Sequence, residues 1–422
     1  MCILPNDEVV QIRHADVAGD PTVVTVSCPD KTGLGCDLCR VVLLFGLSIL
    51  KGDMSTDGKW CYIVLWVLPR RGKDMAWHLL KSRLVELCPV TAPFGFDAAD
   101  LVAAGLHDYA PADAGPRLFL LKLCCYDRMG LLHDVTRVLC ELEFTIQRVK
   151  VSTTPDGSVL DLFFITDAKE LLHTKSRREE AYDKLEDVLG DSLTSCEIDP
   201  ATEDLSGCLQ ASASLTPAVM EQMFNTEINE EQSTRGRCNG AVSVTIDNSL
   251  SPAHTLIQIQ CGDQKGLLYD IMRTLKDCNI QISYGRFYAR KNSRCEVDLF
   301  TVQSDGKKIL DEQRQRAMCS RLRTELLRPL RVALVNRGPD TELLVANPVE
   351  ASGKGRPLVF YDITLALKNL EKRIFLAEIG RHAVDGREWE VYRMHFGEEQ
   401  ELSSSVRCRI VDGVTNMLMG WE

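Results

Sequence analysis

Hydrophobic positions in this chain switch repeatedly between the spacing of a strand and that of a helix. Leu118 to Cys125 is apolar except for Lys122, as in a buried strand. Leu131, Leu132, Val135, Val138, Leu139 and Leu142 then recur at the spacing of one helix face. Between them lies Tyr126-Asp-Arg-Met-Gly-Leu-Leu-His-Asp134, a strand-to-helix turn with Gly130 at the bend. The same stretch occurs as Pro29-Asp-Lys-Thr-Gly-Leu-Gly-Cys-Asp37 and as Gly262-Asp-Gln-Lys-Gly-Leu-Leu-Tyr-Asp270.

The match extends beyond the turns. The step from Gly33 to Gly130 also carries Leu38 to Val135, Val41 to Val138 and Ile49 to Ile146. The step from Gly130 to Gly266 carries Val135 to Ile271 and Ile146 to Ile282, and Gly46 and Asn279 fall at equivalent helix ends. A fourth copy aligns Asp134 with Asp362, Val135 with Ile363 and Ile146 with Ile374, but puts Leu358 where the turn glycine belongs. One supersecondary unit repeated four times is expected, the fourth degenerate. A leucine at positive φ is costly, so the fourth turn is expected to take another backbone path.

Each unit reads β-α-β-β-α-β, the split βαβ order of a ferredoxin-like α+β fold. Hairpin signals stand at Thr56-Asp57-Gly58, Thr154-Pro-Asp-Gly157 and Val384-Asp-Gly386. The expected organisation is a polar lead-in over 1–20, a first unit over 21–98, an Ala, Asp and Pro-rich connection over 99–115, and a second unit over 116–199. A polar linker, partly disordered, follows over 200–251, with a candidate extra strand at 241–246. The third unit spans 252–336, with its last strand at Leu330 to Val335, and the fourth spans 339–422 with no room for a fourth strand. Exposed strand edges invite pairing, so the units should join into larger antiparallel sheets with helices on one face, the fourth pairing with the third or first.

At 422 residues with 45% hydrophobic and 26% charged content, several small globular domains are expected. A net charge of −11 argues against nucleic acid as a partner. No apolar run approaches the roughly 20 residues of a membrane span. Neither a signal peptide nor a transit peptide fits Met1 to Asp20, so a cytoplasmic location is expected, with the nucleus left open. The 17 cysteines are then expected to be reduced and mostly buried. Cys36-Asp-Leu-Cys39 is a lone pair, without the second pair a zinc site needs.

The turns suggest chemistry. A glycine there lets a ligand approach the backbone, and the helix start beyond it offers unpaired N–H groups suited to a carboxylate. Asp30, Asp127 and Asp263 stand three residues before the glycine and could take an ammonium group; equally, they could close an Asx-type turn and cap the helix. The candidate ligand-binding residues are Asp30, Gly33, Leu34, Asp127, Gly130, Leu131, Asp263, Gly266 and Leu267. Asp37, Asp134, Asp270 and Asp362 are assigned to helix stability, and His133 to the surface. No dinucleotide, P-loop, zincin or nucleophile-elbow motif occurs, and Ser352-Gly-Lys-Gly-Arg356 lacks the rest of a P-loop. No catalytic residue, metal or cofactor is expected.

Units of this order with an Asp-x-x-Gly-Leu-Leu-x-Asp turn resemble ACT domains, and four in one chain resemble the plant ACT-domain repeat family. Leu131-Leu-His-Asp-Val135, Glu141-Leu-Glu-Phe-Thr-Ile-Gln-Arg148 and Thr154-Pro-Asp-Gly157 are similar to that family's second unit. Asn336-Arg-Gly-Pro-Asp-Thr-Glu-Leu-Leu-Val-Ala-Asn347 is similar to its subgroup without a plastid address. The resemblance implies a non-enzymatic sensor of a small amino acid, with glutamine as the candidate, bound where two domains pair side by side. It equally admits a ligand-independent interaction scaffold, or a regulatory subunit of an amino-acid metabolic enzyme. Pairing between chains would give a homodimer.

Overall fold

The computed structural model describes residues 8–15, 17, 19–69, 75–89, 117–201, 215–224, 242–290, 294–337, 340–384, 386–396 and 402–421. In the first repeat these form β1 (Val10–Arg13), β2 (Thr22–Pro29), α1 (Leu34–Leu44), β3 (Leu47–Thr56), β4 (Trp60–Pro69) and α2 (Trp77–Leu87). The second has β5 (Phe119–Tyr126), α3 (Leu131–Glu141), β6 (Phe144–Thr153), β7 (Ser158–Asp167), α4 (Lys175–Leu189) and β8 (Leu193–Pro200). A short helix, α5 (Pro217–Phe224), precedes the third repeat. That repeat comprises β9 (Ser243–Asp247), β10 (Thr255–Gly262), α6 (Leu267–Asp277), β11 (Ile280–Ala289), β12 (Arg294–Gln303) and α7 (Glu312–Leu327). The fourth has β13 (Arg331–Arg337), β14 (Asp340–Pro348), α8 (Val359–Asn369), β15 (Leu376–Val384), β16 (Arg387–Phe396) and α9 (Ser404–Met419). The expected strand between Val90 and Phe96 and the connection over 99–115 lie outside the described residues.

These elements build two units. One comprises Met1–Ala104, Ile228–Pro329 and Met419–Glu422, and the other Gly105–Glu227 and Leu330–Leu418. Each holds an eight-stranded sheet, in the order β1-β2-β4-β3-β11-β12-β10-β9 in the first and β13-β14-β16-β15-β6-β7-β5-β8 in the second. The first repeat is thus joined to the third through antiparallel β3 and β11, and the fourth to the second through antiparallel β15 and β6. The fourth repeat therefore pairs with the second, not with the third or first. Both joining edges are taken within the chain, so the expected homodimer cannot use them.

Alternation decides what each sheet buries. Val24, Val26 and Cys28 of β2 are buried while the residues between them are half-buried. With alternate residues of β4, β10 and β12 they form one apolar core with α1, α2, α6 and α7, which cover a single sheet face. Cys36 and Cys39 are among the buried residues of that core, and burial pushes the Cys39 thiol up to about 12, far from a reactive thiolate. In the other unit a second face is covered as well. Phe360 of α8 stacks on Tyr392 of β16 at 5.8 Å, whereas Phe224 of α5 meets Trp389 of the same strand at 5.1 Å. Residues three apart on a strand face opposite ways, so α5, within the stretch expected to be linker, packs beneath the sheet.

Three edge strands come from upstream of their repeats rather than downstream. β1, within the expected polar lead-in, pairs with β2; β9, close to the extra strand expected at 241–246, pairs with β10. Leu330 to Val335, expected to finish the third unit, instead leads into β13, which pairs with β14 and supplies the strand for which the fourth unit had no room. The register runs from Arg331 opposite Ala346 to Arg337 opposite Asp340. Only β8 follows the βαββαβ order among these edge strands. The sheet position beside the first core strand is the same in every repeat; only the route of the chain to it differs.

Candidate functional site

Four equivalent turns lead into α1, α3, α6 and α8. Their N-cap residues all have positive φ: 82° at Gly33, 77° at Gly130, 74° at Gly266 and 64° at Leu358. The fourth turn thus follows the same path as the others, against expectation, and Leu358 bears the strain that glycine avoids. The helix exits agree too, with Gly46, Glu143, Asn279 and Glu371 all at positive φ. None of the four helices has a side-chain cap, so the aspartates before the glycines do not serve as N-caps.

What faces each turn explains the glycines. A Cβ on Gly33 would lie 2.6 Å from Lys276 Cε, and one on Gly130 would lie 2.7 Å from Lys368 Cδ. Each lysine closes the helix of the paired repeat, crosses the glycine and reaches an aspartate one turn further on. Lys276 Nζ is 3.0 Å from Asp37 Oδ1, and Lys368 Nζ is 2.8 Å from Asp134 Oδ1. Asp134 also receives Arg128 at 2.6 Å. Burial opposes the charge on Asp134, but hydrogen bonds from Lys368 and Arg128 outweigh it and lower its pKa. These aspartates therefore lock repeat to repeat, beyond the helix-dipole role expected of them. The lysine position is occupied by Leu43 in α1, which faces the third turn, and by Cys140 in α3 of the repeat paired with the fourth. The lysine that crosses Gly33 and Gly130 thus has no sequence counterpart facing the fourth turn, where Leu358 stands.

The four sites differ in how much space remains. The first turn opens on a cavity of about 630 Å³, bounded by Asp30–Cys36, the hairpin around Thr56 and Asp57, and Met272, Leu275 and Lys276 of α6. Asp30 accepts the Thr56 hydroxyl at 2.6 Å, and Asp57 ties the hairpin by accepting the Lys59 and Trp60 amides at 2.9 and 2.8 Å. At the second turn about 30 Å³ remains, between Asp127, Gly130, Asp161 and Lys368. Arg373 approaches Asp127 to 3.8 Å. At the third turn, bearing Asp263 and Gly266, only about 20 Å³ remains because Trp421 lines it and the Lys265 amide donates to the Met419 carbonyl at 2.9 Å. The fourth is filled from within. Glu390 Oε2 accepts from Asn347 at 3.1 Å and Tyr392 at 2.7 Å, both buried, and Gly355 leaves them room.

The side chains of Leu34, Leu131 and Leu267 are buried, which makes them core anchors of the helix starts. His133 is not on the surface. It packs on Tyr361 at 4.9 Å and its Nδ1 lies 3.3 Å from Thr364 Oγ1. Burial, then the nearby Lys368 charge, pushes its pKa down to about 4. Sequence reasoning missed Lys276, Lys368, Thr56, Asp161 and Trp421. The two lysines were visible in principle as equivalent last-turn residues, and Asp161 as a charge at an inward position of an alternating strand.

Among the described residues, no helix is long and apolar enough to cross a membrane. Family models match in four places. Residues 12–89 match the N-terminal region of ACT domain-containing protein ACR10, residues 119–181 the ACT domain, residues 243–340 an ACR9-like, ACT-like domain, and residues 341–420 the C-terminal region of ACT domain-containing protein ACR9. ACT domain-containing protein ACR10 of Arabidopsis thaliana is 53% identical over 417 residues, covering 99% of both chains. ACT domain-containing protein ACR9 of the same plant is 52% identical over 421 residues, again covering 99% of both. A bifunctional uridylyltransferase/uridylyl-removing enzyme of Caulobacter vibrioides is 27% identical over 195 residues, 46% of this chain and 18% of that protein. The chain belongs to the plant ACT-domain repeat family.

Proposed function

We propose that this protein is a non-enzymatic regulatory protein that binds a small amino acid at the turn between strand and helix of its paired repeats. The observation that supports this most directly is the cavity of about 630 Å³ at the first turn. That volume is within the usual range of small-molecule sites. Its walls offer both halves of a zwitterion's partners. The start of α1, without a side-chain cap, presents backbone N–H groups and the positive end of its dipole to a carboxylate. Asp30, held by Thr56, presents a carboxylate to an ammonium group. Gly33 stands between them, crossed by the Lys276 side chain. The equivalent sites at Asp127–Leu131 and Asp263–Leu267 are narrower. Glutamine is the candidate the family resemblance implies.

The test is a thermal-shift and calorimetric screen of the full chain against the twenty amino acids. A ligand at 100 times its Kd should stabilise the protein by about 2.7 kcal/mol. Asp30→Ala should weaken the strongest response. Silence toward all twenty at millimolar concentration would reject the sensor and leave the interaction scaffold or regulatory subunit.

A further inference from the structure

The second turn differs from the first and third in one buried residue. Asp161 of β7 is 1% exposed and lines the small cavity beside Asp127 and Gly130. Neither of its carboxylate oxygens has a hydrogen-bond partner among the described residues, and the same is true of Thr153 Oγ1 on the neighbouring strand, which lines the same cavity. Register makes the comparison with the other repeats firm. Cys125 opposes Val159, as Cys28 opposes Cys61 and Cys261 opposes Cys295. Two residues further along, Asp161 therefore corresponds to Ile63 and Val297. An apolar residue satisfies the core at this position, so the acid is not required by the fold. In the fourth repeat the register puts Tyr392 there, opposite Ile379 as Asp161 is opposite Val151, and its hydroxyl donates to Glu390 at 2.7 Å.

We propose that the second turn binds the protonated amine of its ligand against Asp161, making it a site for an alkylammonium group. The inference rests on the amino-acid reading above for the rest of the ligand, but not for the amine itself. A buried carboxyl group without hydrogen-bond partners is costly to keep, and a bound ammonium would supply the missing partner. The cavity of about 30 Å³ has room for one or two water-sized groups, hence for an ammonium head but not for a whole amino acid. The remainder of the ligand would lie toward the rim, where Lys372 and Arg373 can meet a carboxylate. Thr153 supplies a hydroxyl that accepts a second ammonium proton. The charged and titratable groups around the cavity are Asp127, Arg128, His133, Lys368, Lys372 and Arg373. Lys368 and Arg128 are engaged by Asp134, and His133 stays neutral, so Asp161 and Asp127 are the acids facing the cavity. Burial, then the Asp127 charge, pushes the Asp161 carboxyl up to about 8. At neutral pH an arriving ammonium therefore displaces the Asp161 proton to solvent.

The experiment is calorimetry on the full chain, titrated with amino acids, their 2-oxo acid analogues and methylammonium, in buffers of different ionisation enthalpy. Binding of an amine at pH 7 should release about one proton, and the release should fade as pH rises past about 8. Asp161→Asn, and Asp161→Ile to match Ile63 of the first repeat, should weaken amine binding at this site by about 10- to 100-fold and abolish the proton release. The 2-oxo acids should gain no such release. An amino-acid response with unchanged site number, affinity and proton release in both variants would overturn this inference while sustaining the proposed function. A methylammonium response lost in both variants, without any amino-acid response, would do the reverse. Silence toward every amine would reject both.

Discussion

Asp53 of β3 and Arg286 of β11 stand directly opposite each other where the first and third repeats join, with Oδ1 and Nε 3.3 Å apart. They are equivalent residues of their repeats, so they mark the approximate twofold relating the pair. The corresponding residues of the second and fourth repeats, Lys150 and Glu378, likewise face each other across β6 and β15. One position is thus acidic in the first and fourth repeats and basic in the second and third. Joining two copies of the same repeat, the first to the fourth, or the second to the third would set like charges opposite each other.

Exposed cross-strand charges are individually weak, and like charges directly opposite are destabilising. Arg286→Asp should therefore cost about 0.5–1 kcal/mol, and adding Asp53→Arg should restore most of it. Denaturant midpoints of the wild type, both single variants and the double variant give the coupling. A coupling of zero would mean that hydrophobic packing alone selects the partner.

The turn residues should respond asymmetrically. Gly130→Leu places a leucine at positive φ and against Lys368, and should cost about 2 kcal/mol or more, combining backbone strain with the lost Lys368–Asp134 contact. It should also remove ligand response at the second turn. Leu358→Gly relieves strain but gives up a half-buried side chain and gains backbone entropy in the unfolded chain, so its net effect should stay within about 1 kcal/mol. Equal melting shifts for the two variants would contradict the role given to Lys368.

Two buried groups beside the second turn should act on stability in opposite senses as pH changes. Folded Asp161 keeps its proton up to about 8, against an ordinary value of 3.8, so its contribution falls as pH rises between those values. Folded His133 stays neutral down to about 4, against an ordinary value of 6.5, so its contribution rises as pH increases through that window. Asp161→Asn should remove the falling component and leave stability rising more steeply from pH 4 to 6.5. Urea titrations at pH 4.5, 6.5 and 8 would show it; parallel wild-type and variant profiles would contradict it.

Trp421 fills the space at the third turn that remains open at the first. Trp421→Ala should lower the melting temperature by exposing part of the core around Leu43 and Leu267, and should add an amino-acid response at the third turn. A second substitution, Gly266→Leu, should cancel that added response. An unchanged number of sites in Trp421→Ala would show that Trp421 is core packing alone.

Local chemistry wrote much of this protein into its sequence. The turns at Gly33, Gly130 and Gly266, the helices after them and the hairpins at Asp57 and Gly157 depend on residue period, positive φ and side-chain bonds within a few residues. The ferredoxin-like repeat followed from their order. The route to each sheet edge did not. Arg331–Arg337 could lie beside the strand before it or the strand after it, because closing either loop costs similar entropy, and only sheet pairing chooses. The same holds for the joining of first to third and second to fourth repeats. Burial was equally nonlocal: nothing beside Asp161 or His133 in sequence says that the paired strands and the helix of another repeat close over them. Leu358 shows the limit from the other side. Its intrinsic preference forbids the turn it makes, and the packing of a whole repeat overrides it where the lysine position of the paired helix is Cys140.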